Sequence, residues 1–327
     1  MKVEYIRLMD TIDLADRRVP VLTLEGSAPG PTLWLTASCH GDEVTGIEVI
    51  HRIMEWLQAG NLRRGTVHAM PVMNPIGSEL VFHRVPLDGE NLNRWYPGDA
   101  DGSFTERTAY SIYTRIVETH PDLVIDIHTM HTDLSLPFII LDRFTDEDDP
   151  QHPQIVARLE EIASAFGVTL VYDFEMDVYR KFHLDQSLTG ALLNHAHILS
   201  YTVELGPPRI IMESFVKAGV QGVLNSLAHF DMIDRTVDPW RDPRRIHAGQ
   251  PLRRDYEIRV NSTGIMKYLV AAGNHVQAGQ PVAQVKNLIG LPVETVRAPR
   301  TGYVLYLGNR VVVVPGTEIM ALAIPDE

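Results

Sequence analysis

Several features that mark other protein classes are scarce in this chain. Its 327 residues include a single cysteine, Cys39, so no disulfide can form within the chain. No run of about 18 apolar residues occurs, and the first residues lack the apolar core of a signal peptide. We therefore expect a cytoplasmic protein without a membrane-spanning segment.

Positive charge is also in short supply. The chain has 29 lysines and arginines against 42 aspartates and glutamates, which gives a formal net charge of −13. This balance argues against nucleic acid or an anionic membrane as a partner. It does not exclude a small anionic substrate, because a pocket can carry local positive charge inside an acidic protein.

The first two thirds of the chain alternate between strand-like and helix-like patterns. Helices are predicted at Thr45–Gln58, Phe104–Thr119 and His152–Phe166, and the first of them has apolar residues at helical spacing. Apolar runs typical of strands occur at Thr32–Ser38, Thr66–Val72, Leu123–Ile127, Pro137–Leu141 and Ile198–Val203. Strands that alternate with helices predict an α/β domain with a mostly parallel sheet flanked by helices.

The pattern changes after about residue 231. A stretch rich in proline, arginine and aspartate at Asp238–Arg245 is typical of a linker. Short valine-rich runs broken by glycines follow from about residue 251 to the end, which predicts a small all-β domain. We therefore expect two domains, covering residues 1–235 and 236–327.

Residues with catalytic chemistry follow three of the predicted strands. His40 and Glu43 come after the first strand, His128 follows the strand at Leu123–Ile127, and Glu204 follows the strand at Ile198–Val203. In open α/β sheets, ligands bind outside the carboxyl ends of the strands. These side chains are therefore expected to converge.

His40, Glu43 and His128 together supply two imidazoles and one carboxylate. Such a His₂Glu set holds zinc with an open position for water, which is typical of catalytic zinc sites. Asp126, two residues before His128, is a candidate for orienting it. Glu204 is the best candidate for the general base, because a carboxyl group in an apolar site tends to have a raised pKa.

The loop around Asn91, Asn93 and Arg94 is a candidate substrate-binding segment, with Arg84 nearby. Arginine recognises a carboxylate through two parallel hydrogen bonds. Either arginine could also stabilise the oxyanion that forms when water attacks a carbonyl.

Each of these features has an ordinary structural explanation when taken alone. A His-x-x-Glu pair often occurs by chance, a lone histidine or glutamate is often a satisfied core residue, and loop arginines are often solvated. Their occurrence together favours a hydrolase site. His131 is a further candidate for the pocket, and Cys39 is expected to be a small buried residue and not a nucleophile.

Five motifs together resemble the succinylglutamate desuccinylase/aspartoacylase family of zinc carboxypeptidase-like hydrolases. They are HGDE at His40–Glu43, NP at Asn74–Pro75, DGENLNRWYPG at Asp88–Gly98, DIHT at Asp126–Thr129 and VELG at Val203–Gly206. The resemblance spans about residues 30–230, and the β-rich tail resembles the family's C-terminal domain.

The resemblance implies a role for each candidate residue. It implies one zinc ion per chain held by His40, Glu43 and His128, with Glu204 as general base. It further implies that Asn93 and Arg94 bind the substrate and that Arg84 polarises the scissile carbonyl. The implied activity is hydrolysis of the amide bond of a small N-acyl amino acid, in an enzyme that is often a homo-oligomer.

One position departs from the pattern. Some family members have an arginine about ten residues before the general base, where this chain has Asn194. The leaving amino acid is therefore open, and the sequence also resembles enzymes that deacetylate N-acetyl-diaminobutyrate. The β-rich tail is similar to biotinyl and lipoyl carrier domains, but Lys286 lies about three residues before the carrier position, so no lipoyl or biotin attachment is expected.

Two other functions remain open from the sequence. One is a metallocarboxypeptidase that acts on short peptides, and the other is a non-catalytic metal-dependent binding protein. The presence of Glu204 argues against the second, because an enzyme that has lost its activity commonly loses its general base.

Overall fold

The computed structural model describes the chain except residues 11–15, 131, 133, 147, 235–241, 256–257 and 327. His131, a pocket candidate, lies outside the described residues, as does most of the predicted linker. No helix among the described residues combines the length and apolarity needed to cross a membrane.

The first part of the chain contains eight strands and seven α-helices within the described residues. The strands are β1 (Lys2–Asp10), β2 (Asp16–Glu25), β3 (Ala28–Ala37), β4 (Arg64–Met70), β5 (Leu123–His128), β6 (Phe138–Leu141), β7 (Thr169–Tyr172) and β8 (Ser200–Glu204). The helices are α1 (Thr45–Trp56), α2 (Pro75–Leu80), α3 (Phe104–Val117), α4 (His152–Phe166), α5 (Met176–Lys181), α6 (Leu188–Ala196) and α7 (Glu213–His229).

The rest of the described chain is built from strands. They are β9 (Leu252–Arg254), β10 (Ile258–Arg259), β11 (Gly264–Tyr268), β12 (His275–Val276), β13 (Pro281–Lys286), β14 (Pro292–Arg297), β15 (Gly302–Leu307), β16 (Val312–Val313) and β17 (Glu318–Pro325).

The principal sheet is mixed. Its strand order is β1-β2-β4-β3-β5-β8-β6-β7-β9-β17-β15-β12, and β10 pairs with β17. The centre, β4-β3-β5-β8, is parallel, whereas β6 runs antiparallel to β8 and β2 runs antiparallel to β4. The expected mostly parallel arrangement therefore holds for the centre of the sheet but not for its full width.

The central strands are buried on both faces because helices cover both. Leu33 and Leu35 of β3 face a core that includes Val49 of α1, whereas Trp34 faces a second core that includes Ile112 of α3. Successive side chains of a strand point to opposite faces, so a strand covered on both sides is apolar throughout. The continuous apolar run of β3 in the sequence has this cause.

The C-terminal strands continue the same sheet. Strand β9 pairs with β7 in parallel at Tyr172 and Arg253, and β17, β15 and β12 extend the sheet from there. Leu305 and Tyr306 of β15 share a hydrophobic core with Phe138 of β6. The β-rich character was expected, but this shared sheet and core were not.

The remaining C-terminal strands form a second sheet of four, in the order β14-β13-β11-β16. Its apolar side chains pack in a core of their own, which includes Val282, Val285 and Val296. The C-terminal region therefore combines a layer that belongs to the principal sheet with a layer packed on it.

The shared core predicts that both parts of the chain unfold together. Leu305 is fully buried in this core, so Leu305→Ala should lower the free energy of unfolding by about 2–5 kcal/mol. Leu288 is 91% exposed, so Leu288→Ala should change the free energy of unfolding by less than about 0.5 kcal/mol. Urea unfolding followed by circular dichroism checks this. Two separate transitions, with only one shifted by Leu305→Ala, would contradict a shared folding unit.

Candidate metal centre and hydrolytic site

The register of three adjacent parallel strands brings the predicted site residues together. Ala37 at the end of β3 lies beside Ile127 of β5, and His128 lies beside Glu204 of β8. The segment from His40 to Glu43 leaves the end of β3 just before α1 begins. The carboxyl ends of these strands therefore place both imidazoles and both glutamates at one edge of the sheet, as the sequence predicted.

A close backbone approach shapes the turn between β3 and α1. A Cβ atom on Gly41 would lie 2.0 Å from the carbonyl carbon of Gly77 in α2, so no larger residue fits. Helix α2 begins at Pro75, and the side chain of Asn74 caps it by accepting a hydrogen bond from the Gly77 amide at 2.9 Å. Two of the five motifs thus pack against each other.

Glu43 lies between the two imidazoles. Its Oε1 is 2.8 Å from Nδ1 of His40, and its Oε2 is 2.9 Å from Nδ1 of His128. All three side chains are buried, and the Thr129 amide also donates to Oε2 at 3.1 Å. Burial alone would raise the pKa of Glu43, but His40 and His128 hold it well below its usual range.

The second nitrogen of each imidazole is bound to an acceptor. Nε2 of His128 lies 2.8 Å from Oδ2 of Asp126, whose Oδ1 accepts from Thr36. Nε2 of His40 lies 3.1 Å from Oδ1 of Asn91, and that oxygen also accepts from a backbone amide, which fixes the orientation of the side-chain amide. Both Nε2 atoms are therefore donors.

With a proton on Nε2, the neutral form of each imidazole presents an unprotonated Nδ1 atom to Glu43. A lone pair that faces a carboxylate oxygen at hydrogen-bond distance needs a positive centre between them, either a proton or a metal ion. Two Nδ1 atoms and a carboxylate that converge in this way are the donor set of a catalytic zinc site. Asp126 and Asn91 supply the outer hydrogen bonds that orient such ligands.

His83 is a geometric rival to His128 as the third ligand. Potential ligand atoms of His40, Glu43 and His83 all lie within 4.8 Å of one another. However, the rings of His40 and His83 are stacked at 3.8 Å and 12°, so their in-plane lone pairs do not meet at one point. The rings of His40 and His128 are inclined at 65°, and their planes intersect.

The surroundings of the two rivals also differ. The His83 side chain is 45% exposed and its Nδ1 contacts Asp42 at 3.1 Å, whereas the His128 side chain is 4% exposed and is oriented by Asp126. A metal ligand must be held rigidly in the plane of its lone pair. The geometry therefore favours His40, Glu43 and His128.

Glu204 has the properties of a proton carrier. It is 9% exposed, and its Oε2 is buried with no hydrogen-bond partner among the described residues. Burial raises the pKa of Glu204 to about 7. A carboxyl group with this pKa can accept and release a proton near neutrality.

A cavity of about 200 Å³ opens between these residues and the sheet. Asn93 and Arg94 line it, as predicted; Asn93 is fixed because its Oδ1 accepts from the Leu188 amide at the start of α6. Three further charged side chains line the same cavity: Asp142, Asp173 and Arg254. The volume suits a small molecule better than an extended peptide.

Arg84 is not among the residues that line this cavity. Its side chain is exposed, and Nη1 donates to the carbonyl of Gly89 at 3.1 Å within the same loop. The structure thus does not bring Arg84 to the site, and its role in polarising the carbonyl stays a prediction.

Asn194, at the position of the family arginine, is a structural residue. Its side chain binds the backbone carbonyls of Arg143 and Gly190 and accepts from Thr145, and it does not line the cavity. Cys39 is fully buried, and burial raises the pKa of its thiol well above the usual range, which fits the expected inert role.

Arg254 is the site residue that sequence reasoning missed most clearly. It ends β9, in the region predicted to be a separate domain, yet it lines the cavity. Its Nη2 and Nε lie 2.6 and 3.1 Å from Oδ1 of Asp173, which follows β7. No motif marks either residue, because their proximity depends on the pairing of β9 with β7.

The fold and site described above are those of a hydrolase family. The catalytic-domain model of the succinylglutamate desuccinylase/aspartoacylase family matches residues 29–230. The chain therefore belongs to this family, which confirms the resemblance seen in the sequence.

Relatives with more specific descriptions cover most of the chain. It is 29% identical, over 287 residues, to the N-α-acetyl-L-2,4-diaminobutyric acid deacetylase of Halomonas elongata, which covers 87% of this chain and 79% of the relative. A succinylglutamate desuccinylase/aspartoacylase structure from Rhodobacter sphaeroides superposes with a TM-score of 0.80 at 22% identity, covering 100% of this chain and 95% of the other.

A third relative is also a solved structure. The product-bound ectoine utilization protein EutE (DoeB) of Ruegeria pomeroyi superposes with a TM-score of 0.81 at 20% identity, covering 99% of this chain and 94% of the other. At these identities the two structures establish the fold, including its C-terminal β region, and nothing more specific.

The choice between His128 and His83 is open to measurement. His128→Ala should weaken zinc binding by more than about 100-fold, because it removes a buried ligand that Asp126 orients. His83→Ala removes only a stacked, half-exposed ring and should keep about one zinc per chain. Zinc content after dialysis, with affinity from chelator competition, checks both variants. Loss of zinc from His83→Ala alone would reverse the assignment.

Proposed function

We propose that this protein is a zinc-dependent hydrolase that cleaves the amide bond of a small N-acyl amino acid. The observation that carries the proposal is the position of Glu204, a buried carboxyl with a free oxygen, beside a convergent His₂Glu set in a small cavity. The deacetylase from Halomonas elongata acts on a molecule of this class and supports the choice.

His40, Glu43 and His128 would hold the zinc ion. When bound, zinc supplies Lewis-acid chemistry to the scissile carbonyl and to the attacking water. Asp126 and Asn91 keep the two imidazoles in the tautomer that leaves Nδ1 free for this role.

Glu204 performs the proton transfers. As a carboxylate it accepts a proton from the attacking water, and as an acid it delivers that proton to the leaving nitrogen. A pKa of about 7 makes both steps accessible near neutral pH. Amide hydrolysis needs the second step because, without that proton, the nitrogen would have to leave as a strongly basic amide anion.

In this proposal Asn93 and Arg94 bind the substrate's carboxylate. Arg94 lines the cavity beside Asn93, and burial lowers the pKa of its guanidinium, which still remains charged at neutral pH. Arg84 would have to turn from Gly89 towards the cavity to polarise the carbonyl.

A metallocarboxypeptidase that acts on short peptides is the rival function. Its substrate must extend out of the site in one direction along a groove. A cavity of about 200 Å³, with Arg254 of the C-terminal region in its wall, favours the smaller N-acyl amino acid. Turnover of short peptides, but not of N-acyl amino acids, would support the rival.

The role of Glu204 is tested by a conservative change. Glu204→Gln should lower kcat by a factor of about 10²–10⁴ while zinc content stays unchanged, because the amide cannot accept the proton. Release of primary amine from a panel of N-acetyl and N-succinyl amino acids measures this, and a chelator should abolish release by the wild-type protein.

Glu118→Gln is the matched control, because Glu118 is exposed at the end of α3 and does not line the cavity. This variant should keep wild-type activity. Equal activity in Glu204→Gln and Glu118→Gln would remove Glu204 from the mechanism.

A further inference from the structure

The two imidazoles of the candidate metal centre are held at their edges by partners of different strength. Nε2 of His128 donates to the carboxylate of Asp126 at 2.8 Å. Nε2 of His40 donates to the neutral side-chain amide of Asn91, at the longer distance of 3.1 Å. Hydrogen bonds to a charged acceptor are shorter and roughly twice as strong as neutral ones. His40 therefore has the weaker edge support of the two.

His83 supports His40 in another direction. Its ring is stacked on the His40 ring, with 3.8 Å between centroids and 12° between planes. Hydrogen bonds at two edges of a ring only weakly restrain its tilt about the line that joins them, whereas a flat group on its face opposes that tilt directly. A metal ligand must present its lone pair in the plane of the ring. The face contact therefore bears on the direction in which His40 presents Nδ1.

Asp42 fixes the position of this second ring. Its Oδ1 lies 3.1 Å from Nδ1 of His83, and the Gly41 amide donates to the His83 carbonyl at 3.4 Å. Asp42 is 5% exposed and directly precedes Glu43. The turn between β3 and α1 thus holds His83 by side chain and backbone, next to two of the candidate metal ligands.

Arg209 holds Asp42 from the other side. Its amide donates to the Asp42 carbonyl at 2.8 Å, and its Nη2 donates to Oδ2 at 3.2 Å. The φ angle of Arg209 is +65°, in the left-handed region that is unfavourable for a residue other than glycine. Such a conformation persists only where surrounding contacts hold it. The two bonds to Asp42 are contacts of this kind.

The loop that carries Arg209 begins at Glu204. The Leu205 amide donates to the His128 carbonyl at 2.9 Å, and two prolines stand between Gly206 and Arg209. Proline fixes φ, so this short segment has little freedom. It is anchored to β5 at one end and to the turn after β3 at the other, so the support of the metal ligand is tied to the strand that ends in the candidate base.

We propose that His83 is a positioning residue, which Asp42 holds in place and which supports the face of His40 so that Nδ1 points towards the metal position. This inference rests on the proposed function, because that position is the zinc site assigned there. His83 lies between two of the five family motifs and belongs to neither. It does not bind the ion itself, since Asp42 occupies its Nδ1 and its plane is nearly parallel to that of His40.

The exposure of His83 distinguishes this role from core packing. Its side chain is 45% exposed, so its removal takes little buried area from the fold. Loss of the ring should therefore act on the metal centre more than on the stability of the protein.

The test compares two substitutions of His83 in the full-length protein. His83→Ala removes the face contact and should weaken zinc binding about tenfold, with one zinc per chain still bound at saturation. His83→Phe keeps a flat ring and should retain the wild-type zinc affinity within about threefold. Chelator competition measures both affinities. The visible spectrum of the cobalt-substituted protein reports the geometry of the ligands, and it should change in His83→Ala but stay close to wild type in His83→Phe.

His51→Ala is the matched control. His51 is exposed on α1 and does not line the cavity, so this variant removes an imidazole from the surface without reaching the metal centre. It should keep the wild-type zinc affinity and cobalt spectrum.

A double variant tests the part played by Asp42. If Asp42 acts through the ring of His83, Asp42→Ala should weaken zinc binding on its own but should weaken it no further once His83→Ala has removed the ring. Losses that add in the double variant would overturn the link through Asp42.

Separate outcomes distinguish this inference from the proposed function. Unchanged zinc affinity and cobalt spectrum in His83→Ala, with or without a loss of stability, overturn the positioning role and leave the hydrolase intact. Equal changes in His83→Ala and His83→Phe also overturn it, because the face contact would then not be the cause. A wild type that binds zinc but cleaves no N-acyl amino acid refutes the proposed activity instead, and the affinities and spectra of the variants still decide the role of His83.

Discussion

The contact of Glu43 with both His40 and His128 is the constraint on which the site depends. Both rings turn Nδ1 towards this carboxylate, and Asp126 and Asn91 hold them there by binding the opposite nitrogens. Those partners come from different segments, so β3, β5 and the Asn91 loop must all be in place before the ligand set exists. The ligand geometry is therefore a property of the whole sheet edge.

Arg254 extends the same dependence to the C-terminal strands. It reaches the cavity only because β9 pairs with β7, and its ion pair with Asp173 joins the two parts of the chain at the wall of the site. A C-terminal β region that only capped the entrance would leave Asp173 unpaired and buried, which is costly. The region thus contributes to the charge balance of the cavity as well as to its shape.

The sequence could predict the convergence of the candidate metal ligands but not which side chains line the rest of the cavity. His40, Glu43, His128 and Glu204 follow strands that are parallel neighbours, and for such strands a residue at the carboxyl end is necessarily at the shared edge. Asp142 follows a strand that runs antiparallel to β8, so its place depends on a register that local patterns do not encode. Arg84 shows a second limit of sequence reasoning. Its place beside a recognisable loop motif can be predicted, but the direction of its side chain, which bonds to the Gly89 carbonyl, cannot.

The distribution of charge in the cavity bears on how one family fold serves different substrates. A substrate with two carboxylates needs two free cations. Among the described residues that line the cavity, Asp173 occupies Arg254, which leaves Arg94 as the cation without an ion pair. Asn194, at the position of the family arginine, bonds to backbone groups and to Thr145 outside the cavity and adds no charge to it. The charges that a ligand meets are therefore set by which lining residues already pair with one another, and this pairing can vary without any change in the candidate metal ligands or Glu204.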